Sequence, residues 1–251
     1  MLKPFQADLH IHTVLSGCAE VEMVPPLIIR QAVRLGLNLI AITDHNTCDN
    51  AEALIQASSG TGVHVLPGME LQSREEVHLL CLFDRMEQCR RWQEQVSQKL
   101  PSFVNKEETF GAQFIVDASG DWVRTEKRLL SVSADISLEE AVSGVQSIGG
   151  MAIPAHVDRP SFSLLSNLGM IPDSLQVGAF EVTPRFVPAI GLRIWPQLEN
   201  RCLVVNGDAH RLNEMQGRTL LMLEAPEIGE IELACKGEKG RQVRVAWPDV
   251  A

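Results

Sequence analysis

The sequence predicts an α/β fold, a distorted barrel in which strands alternate with helices. Short apolar runs alternate with segments of helical period between residues 8 and 205, a pattern typical of βαβ units and a largely parallel sheet. A length of 251 residues suits one closed α/β barrel. No internal repeat and no Pro/Gly-rich linker interrupts the chain, so we expect a single domain over residues 1–251.

The individual elements follow from apolar runs and helix boundaries. The predicted strands are residues 8–12, 39–43, 63–71, 77–83, 151–154, 180–182 and 203–205. The predicted helices are residues 25–35, 50–58 and 137–148, with further helical segments between the late strands. The first helix has proline near its start and Gly36 at its end, and the third opens on Ser137 with capping-box spacing. Residues 39–43 form a continuous apolar run, as expected of a strand buried on both faces.

One segment departs from the alternation of strands and helices. Residues 72–76 are too few for a helical crossover between the strands on either side, so these strands should form an antiparallel hairpin. Residues 84–135 then form an insertion. Its predicted elements are a charged helix over 85–100 and a hairpin of strands 114–116 and 122–124 that turns at Ser119-Gly120-Asp121.

Composition and charge exclude several classes of protein. The net charge of −10 argues against tight binding of long nucleic acid, because that affinity depends on Lys and Arg that neutralise phosphates. A small phosphorylated ligand is still compatible, because bound metal ions reverse the local field. No run of about 18 apolar residues predicts a membrane span, and residues 1–5 are too short for a signal peptide. The oligomeric state cannot be read from these features.

The six cysteines show no CxxC spacing and no export signal precedes them. A chain of this size does not need disulfides for stability, so we expect free thiols in a cytoplasmic protein.

Histidines are the most informative residues of the sequence. Five of the seven lie at the ends of predicted strands: His10, His12, His45, His156 and His210. His78 opens the returning strand of the hairpin, so it lies beside the end of the strand that carries Glu70. Strand ends at one face of such a barrel converge, and the C-terminal face carries the site. His64 comes early in its strand and is expected to be structural.

The spacing of these residues favours a site with more than one metal ion. Residues i and i+2 of a strand face the same side, so His10 and His12 can reach one ion. Asp208 and His210 repeat that spacing, and the two carboxylate oxygens of Glu70 can bridge two ions. A single His-x-His or Asp-His pair would be weak evidence, but convergence of six histidines indicates two or three divalent ions. Imidazole and carboxylate ligands suit Zn²⁺, Mn²⁺ or Fe²⁺.

These motifs, in this order, resemble those of the PHP (polymerase and histidinol phosphatase) superfamily. They are Asp8-Leu9-His10-Ile11-His12-Thr13, Thr43-Asp44-His45-Asn46, Gly68-Met69-Glu70, His78-Leu79-Leu80, Pro154-Ala155-His156 and Gly207-Asp208-Ala209-His210. The resemblance spans residues 8–210 and implies a distorted (β/α)7 TIM-like barrel with its metal site at the C-terminal face. By the same resemblance, the ligands of three ions are His10, His12, Glu70 and Asp208; Glu70, His78 and His156; and His45, His210 and one residue of the loop after His12.

The loop residue is where this chain departs from the commoner PHP pattern. The family usually has His or Asp at that position, whereas this chain has Cys18. A thiolate is a good ligand for Zn²⁺ or Fe²⁺, so Cys18 is expected to be a ligand. The alternatives are a weakened third site or a half-buried structural cysteine. Insertion 84–135 has no clear place among the family motifs and is a candidate for shaping substrate choice.

Clustered divalent ions favour hydrolysis of a phosphate ester by metal-activated hydroxide. The predicted function is therefore that of a metal-dependent phosphoesterase. Its expected substrate is a small phosphorylated molecule: a nucleotide, the end of a short oligonucleotide or an ester similar to histidinol phosphate. No P-loop and no Gly-x-Ser-x-Gly motif offers a different route to chemistry.

Several further residues are candidates for the reaction. Arg159 and Arg185 are placed to hold phosphate, although a surface role is the alternative for each. Asp44 is expected to orient His45, which is itself a candidate catalytic residue, or to act as an acid-base group. Asp8 is expected to support the site or the backbone, and Glu181 faces the barrel lumen or serves as a structural partner.

Two other functions are compatible with parts of the pattern. Metal-dependent amidohydrolases also open with His-x-His, but they usually need a Lys on a middle strand and a lone late Asp. Here the bridging position is Glu70 and the late motif is Asp-x-His. A non-catalytic, structural or regulatory PHP module is the other alternative. Lost ligands would indicate it, and no ligand position is lost here.

Overall fold

The computed structural model describes residues 1–248. Its strands are β1 (Lys3–Ile11), β2 (Leu39–Ile42), β3 (His64–Gln72), β4 (His78–Leu82), β5 (Phe114–Val116), β6 (Trp122–Thr125), β7 (Met151–Pro154), β8 (Phe180–Val182), β9 (Leu203–Val205), β10 (Thr219–Leu223) and β11 (Gln242–Val245). Its α-helices are α1 (Pro25–Leu35), α2 (Ala51–Ala57), α3 (Met86–Lys99), α4 (Glu107–Phe110), α5 (Leu138–Ser147), α6 (Leu164–Leu168), α7 (Pro188–Ile194) and α8 (Ile228–Lys236). The last three residues of the expected 1–251 domain lie outside the described residues.

Seven strands form one curled sheet in the order β11-β10-β1-β2-β3-β4-β7. Strands β1, β2 and β3 are parallel, whereas β4 is antiparallel to both β3 and β7. The parallel pair β8 and β9 lies at the open side, where β8 contacts β7 and β9 contacts β11. This arrangement confirms the predicted α/β fold of PHP type, with its barrel distorted into a curled half-barrel.

The sheet is mixed, not largely parallel as expected, and the predicted hairpin is one reason for this. Glu70 of β3 lies opposite Leu80 of β4 in an antiparallel register. The short connection between these strands leaves no room for a crossover helix, so the chain must reverse its direction. The reversal puts the first residue of β4 beside the carboxyl end of β3.

Helix boundaries follow the residues that predicted them. Helix α1 begins with proline in its first turn and ends at Gly36, whose φ of 71° is left-handed. At the start of α5, the Glu140 amide donates to the Ser137 hydroxyl at 3.2 Å, and the Ser137 amide donates to the Glu140 carboxylate at 2.7 Å. This reciprocal pair is the predicted capping box.

Buried apolar side chains lie on both faces of the sheet. Along β2, Ile40 and Ile42 belong to the larger apolar cluster, whereas Leu39 and Ala41 belong to the smaller one. Successive side chains of a strand point to opposite faces. The alternation therefore confirms that β2 is buried on both sides, as its continuous apolar run predicted.

The insertion packs against the barrel through both of its predicted elements. Helix α3 and the β5–β6 hairpin are confirmed, and the short helix α4 was not predicted. The Phe114 amide of β5 donates to the Val14 carbonyl at 2.9 Å. A Cβ added at Gly111 would lie 1.8 Å from the Gly17 carbonyl oxygen. The insertion thus contacts the loop that carries Cys18.

The chain beyond residue 210 contains elements that the sequence analysis did not predict. Strand β10 pairs with β1, and α8 packs near β10 and the edge strand β11. All six cysteines are free thiols. Within residues 1–248, no helix has the length and apolar character that a bilayer crossing requires.

Candidate metal centre

The carboxyl ends of several strands meet at one side of the half-barrel. Because β4 is antiparallel, its first residue reaches the same place. The structure brings together there the side chains of every residue that the sequence analysis named as a metal ligand: His10, His12, Cys18, His45, Glu70, His78, His156, Asp208 and His210.

Glu70 lies in the middle of this group and is only 1% exposed. Its carboxylate oxygens lie within 3.3 Å of ring nitrogens of five histidines: His10, His12, His45, His78 and His156. Burial alone would raise the pKa of Glu70, but the surrounding histidines, His78 and His10 foremost, hold it well below its ordinary value. A buried carboxylate shared in this way suits a bridge between cations.

The possible ligand atoms fall into three overlapping groups, and within each group they lie within 4.8 Å of one another. The groups are His10, His12, Glu70 and Asp208; His45, Glu70 and His78; and His12, His45 and His210. The first is the set that the family resemblance implies. The second includes His45, while His156 Nε2 lies 3.2 Å from Glu70. These buried clusters of His, Glu and Asp can hold more than one metal ion.

Hydrogen bonds behind the centre orient the histidine rings. His10 Nδ1 lies 3.0 Å from Glu181 Oε2, and His210 Nδ1 lies 2.9 Å from the backbone carbonyl of Asp208. Both partners can only accept, so each Nδ1 must donate. When the rings are neutral, as they are when they bind a metal, their Nε2 lone pairs face the centre.

His12 is oriented by a serine that the sequence analysis did not name. The Ser16 hydroxyl donates to Asp44 Oδ1 at 2.7 Å and lies 2.9 Å from His12 Nδ1. A hydroxyl has one proton, so His12 Nδ1 must donate to it. The other ring nitrogen, His12 Nε2, keeps its lone pair and lies 3.2 Å from His10 Nε2.

We expected Asp44 to orient the His45 ring, but the hydrogen bonds of Asp44 go to other residues. Its carboxylate accepts hydrogen bonds from the Thr13 amide and the Thr13 hydroxyl, both at 2.7 Å, as well as from Ser16. Consecutive side chains of an extended segment point to opposite sides, which separates Asp44 from His45. Asp44 acts on the centre through Ser16 and His12.

Unpaired polar atoms show that the centre fits metal ions. His45 Nδ1 and Glu70 Oε2 lie 3.0 Å apart, yet neither has a hydrogen-bond partner among residues 1–248, nor does His156 Nδ1. Buried polar atoms without partners are costly in proteins. Nitrogen and carboxylate atoms that converge in this way match the ligand chemistry of Zn²⁺ and related ions.

The electrostatics of the centre favour positive charge. Burial disfavours a charged imidazole, but the carboxylates of Glu181, Glu70 and Asp208 outweigh it and raise the pKa of His10 well above its ordinary value. The pKa of Asp208 is held well below its ordinary value, because His10 and His12 overcome the effect of burial. A field of this sign attracts divalent cations as well as protons.

Cys18 lies exposed at the edge of the centre, with its sulfur 3.4 Å from His45 Nε2. Although the residue is exposed, its sulfur is partly shielded from solvent, which would raise the pKa of the thiol. Hydrogen bonds from His210 and His45 outweigh this effect and lower the pKa of Cys18 to about 5. A thiolate is the form that binds metal. The structure therefore brings the residue that departs from the family pattern next to the two histidines of the expected third site.

The two arginines differ in their relation to the centre. Arg159 Nη1 donates to Asp208 Oδ2 at 2.7 Å and lines the cavity of about 460 Å³ into which the centre opens. Arg185 lines the neighbouring cavity and does not line that of the centre. Arg159 is thus the arginine that a phosphate at the centre would meet first.

The remaining named residues have supporting positions. Asp8 is fully buried and accepts hydrogen bonds from the backbone amides of Gly207 and Gln216, both at 2.9 Å. Glu181 accepts from the His156 amide at 2.8 Å in addition to its contact with His10. His64 is exposed at the start of β3, outside the centre.

Comparison with known proteins agrees with this architecture. Residues 8–160 match the family described as PHP domain. An uncharacterized protein of Methanocaldococcus jannaschii is 33% identical over 78 residues, which are 28% of this chain and 46% of that protein.

Solved structures share the fold at low sequence identity. The lesion-specific endonuclease PfuEndoQ from Pyrococcus furiosus matches with a TM-score of 0.71 and 22% identity over 96% of this chain and 58% of that one. A protein from Bifidobacterium adolescentis, provisionally described as a metal-dependent phosphoesterase, matches with a TM-score of 0.52 and 21% identity, covering 84% of this chain and 90% of that one.

The chain spans less than two thirds of the length of the endonuclease and of the archaeal relative. The family match, in contrast, covers most of the motifs that surround the centre and more than half of the 251 residues. On these grounds the chain belongs to the PHP domain family.

Proposed function

We propose that this protein is a metal-dependent hydrolase that cleaves phosphate esters at the centre around Glu70. The observation that carries the proposal is the contact of this one buried carboxylate with ring nitrogens of five histidines. We assign all nine converging residues, Cys18 included, as ligands of two or three divalent ions. Zn²⁺, Mn²⁺ and Fe²⁺ are the candidates, because imidazole, carboxylate and thiolate suit them.

When bound, such ions supply Lewis-acid activation of water and neutralise charge on the phosphoryl oxygens. The chain itself supplies position and orientation. Glu181 fixes the His10 ring, and Asp44 fixes the His12 ring through Ser16. Asp44 already accepts three hydrogen bonds from Thr13 and Ser16, which supports a positioning role for it over proton transfer.

Arg159 is proposed to hold the phosphoryl group. Its side chain is 38% exposed while Nη1 bonds Asp208, so part of the guanidinium can turn toward a substrate in the cavity. A planar guanidinium can hold two phosphoryl oxygens at once. The His45 ring lies between Glu70 and Cys18. We propose that His45 is a metal ligand.

The proposed substrate is a small phosphorylated molecule. The net charge of −10 opposes binding of long nucleic acid, because few cations are available to neutralise phosphates. PfuEndoQ is, however, an endonuclease, and a related structure of Endonuclease Q holds a 27-mer duplex with an abasic lesion at the active site. Cleavage of such a duplex is therefore the second activity to test.

Hydrolysis of an aryl phosphate tests the proposal directly. Protein loaded with Zn²⁺, Mn²⁺ or, without oxygen, Fe²⁺ is expected to release phosphate, and His10→Ala to reduce the rate by more than about 100-fold, beyond the loss usual for supporting residues. His64→Ala is the matched control, because His64 is exposed and outside the centre. An unchanged circular dichroism spectrum of His10→Ala would show that the variant is folded and that the loss is catalytic.

Two outcomes would favour the alternatives. Absence of phosphate release with every ion, together with a collapse in the melting temperature of His10→Ala, would support a structural or regulatory metal module. Metal-dependent cleavage of amides but not of phosphate esters would support an amidohydrolase.

A further inference from the structure

We infer that a subsite beside the metal centre binds a planar, uncharged ring in the alcohol part of the substrate. Its walls are Phe186, Ile190, Ile194 and Trp195. The inference rests on the proposed phosphoesterase function and specifies its substrate class: a phosphate ester whose alcohol carries a flat ring, as a nucleoside does.

The subsite is continuous with the centre. Its cavity has a volume of about 520 Å³, and three residues, Arg159, Thr183 and Pro184, line both this cavity and that of the centre. A molecule with its phosphoryl group against Arg159 can therefore place its other end in the subsite. The loop between the two cavities is fixed, because Asp158 accepts hydrogen bonds from the Thr183 amide at 2.7 Å and the Thr183 hydroxyl at 2.6 Å.

The walls of the subsite are apolar and partly open to solvent. Ile190 and Ile194 lie on successive turns of α7 and are 53% and 59% exposed. The rings of Phe186 and Trp195 are nearly parallel, with centroids 6.5 Å apart. Large apolar side chains grouped at a surface cavity are typical of a binding site.

Helix α7 is held close to Phe186, so the walls are preformed. A Cβ added at Gly191 would lie 2.2 Å from the Phe186 ring. Only glycine permits this approach, and it places Ile190 and Ile194 at the mouth of the cavity. A preformed apolar wall loses little side-chain freedom on binding.

Two arginines line the cavity. Arg159 stands at the edge shared with the centre, and Arg185 is exposed on the rim. A guanidinium can stack on a ring or hold a phosphate oxygen but repels a cationic ring. This pattern fits a molecule with an anionic end and a neutral flat end.

Binding of stable analogues to the metal-loaded protein tests the inference without turnover. The two probes are phosphonates, in which carbon replaces the ester oxygen, of adenosine 5′-monophosphate and of ribose 5-phosphate. They differ only in the base. We expect the adenosine compound to bind at least about tenfold more tightly by calorimetry, as base stacking on apolar and aromatic side chains allows. Its binding should also change the tryptophan fluorescence of the protein, because Trp195 lines the subsite.

Matched variants locate the preference in the subsite. The double variant Ile190→Asn and Ile194→Asn should bind the two probes with similar affinity, whereas Ala189→Asn on the same helix should keep the preference, since Ala189 does not line the cavity. Arg185→Ala should weaken binding of the adenosine probe, and Arg193→Ala should not. All five substituted side chains are exposed, so the variants are expected to fold.

Equal affinity of the wild type for both probes, or an unchanged preference in the double variant, would overturn the inference. Hydrolysis of both natural esters in that case would leave the proposed function standing. Conversely, a preference for the adenosine probe without hydrolysis of any phosphate ester would support the subsite and contradict the proposed function.

Discussion

Glu181 shows how single residues behind the centre control it. It is buried, faces His10 Nδ1 with both oxygens, and accepts hydrogen bonds from the His156 amide and the Asn206 side chain. In Glu181→Gln, an amide NH₂ group would replace one of the two accepting oxygens and would face a donor without forming a hydrogen bond. We expect metal affinity to fall about 10–100-fold, as is typical when the partner of a ligating histidine is removed. Competition with a chelator measures it.

The control for this variant is Glu199→Gln, because Glu199 is exposed and outside the centre. Equal metal affinity of Glu181→Gln and the wild type would show that Glu181 does not support His10.

A second prediction for a single residue concerns Cys18. Its thiol lies beside His45, and its lowered pKa of about 5 keeps it in the thiolate form at neutral pH. We expect Cys18→Ser to bind one ion fewer per chain by elemental analysis. The Co²⁺-loaded wild type should also show a thiolate charge-transfer band that the variant lacks.

Cys202→Ser is the matched control for that experiment, since Cys202 is half-buried at the opposite end of β9 from the centre. An unchanged ion count and an unchanged Co²⁺ spectrum in Cys18→Ser would assign Cys18 a structural role.

The residues that could be predicted from the sequence are those whose position follows from a strand end. His10, Glu70 and His156 belong to this kind, because strand ends converge in a barrel. The Ser16 contact with His12 and the Asp44 contact with Ser16 depend on the path of a loop. No periodicity encodes that path, so these partners were not predicted.

The next prediction concerns the contact between insertion 84–135 and the loop that carries Cys18. Gly111 has a φ of 80°, and a Cβ there would lie 1.8 Å from the Gly17 carbonyl oxygen, next to Cys18. Backbone atoms cannot give way easily. We expect Gly111→Ala to destabilise the protein by about 1–3 kcal/mol and to weaken binding of the ion nearest Cys18, as measured by denaturation and metal titration.

Gly60→Ala is the control, because Gly60 has a φ of 76° but nothing within 4 Å of an added Cβ. The Gly60→Ala variant places alanine in the left-handed backbone region, with the same conformational cost, but causes no steric clash. If Gly111→Ala and Gly60→Ala proved equal in stability and in ion count, the insertion would not position the Cys18 loop.

The helices and strands that could be predicted are those determined by residues close together in the sequence. The β3–β4 hairpin follows from its short connection, and α5 follows from its capping box. The pairing of β10 with β1 joins residues far apart in the chain, such as Pro4 and Met222. Local patterns carry no information on such a pairing, and the C-terminal elements were accordingly missed.

At the scale of the whole molecule, ion binding should stabilise the fold. The proposed ligands of the centre come from residue 10 to residue 210, so bound ions would connect most of the barrel. A ligand that binds only the folded state at 100 times its Kd adds about 2.7 kcal/mol to the free energy of unfolding. We expect chelation to lower the melting temperature of the wild type and of His64→Ala.

The same chelation should change the melting temperature of Glu70→Ala much less, because that variant lacks the shared carboxylate. A wild type that melts at one temperature with and without ions would contradict a centre that spans the barrel.

The central claim is that several ions act together at the Glu70 centre in phosphate ester hydrolysis. Stepwise titration of the metal-free protein with Zn²⁺ or Mn²⁺, with bound ions and phosphate release from an aryl phosphate measured in the same samples, tests it most directly. We predict that release begins only when a second ion binds and is complete at two to three ions per chain. Full occupancy without release, or full release at one ion per chain, would contradict the claim.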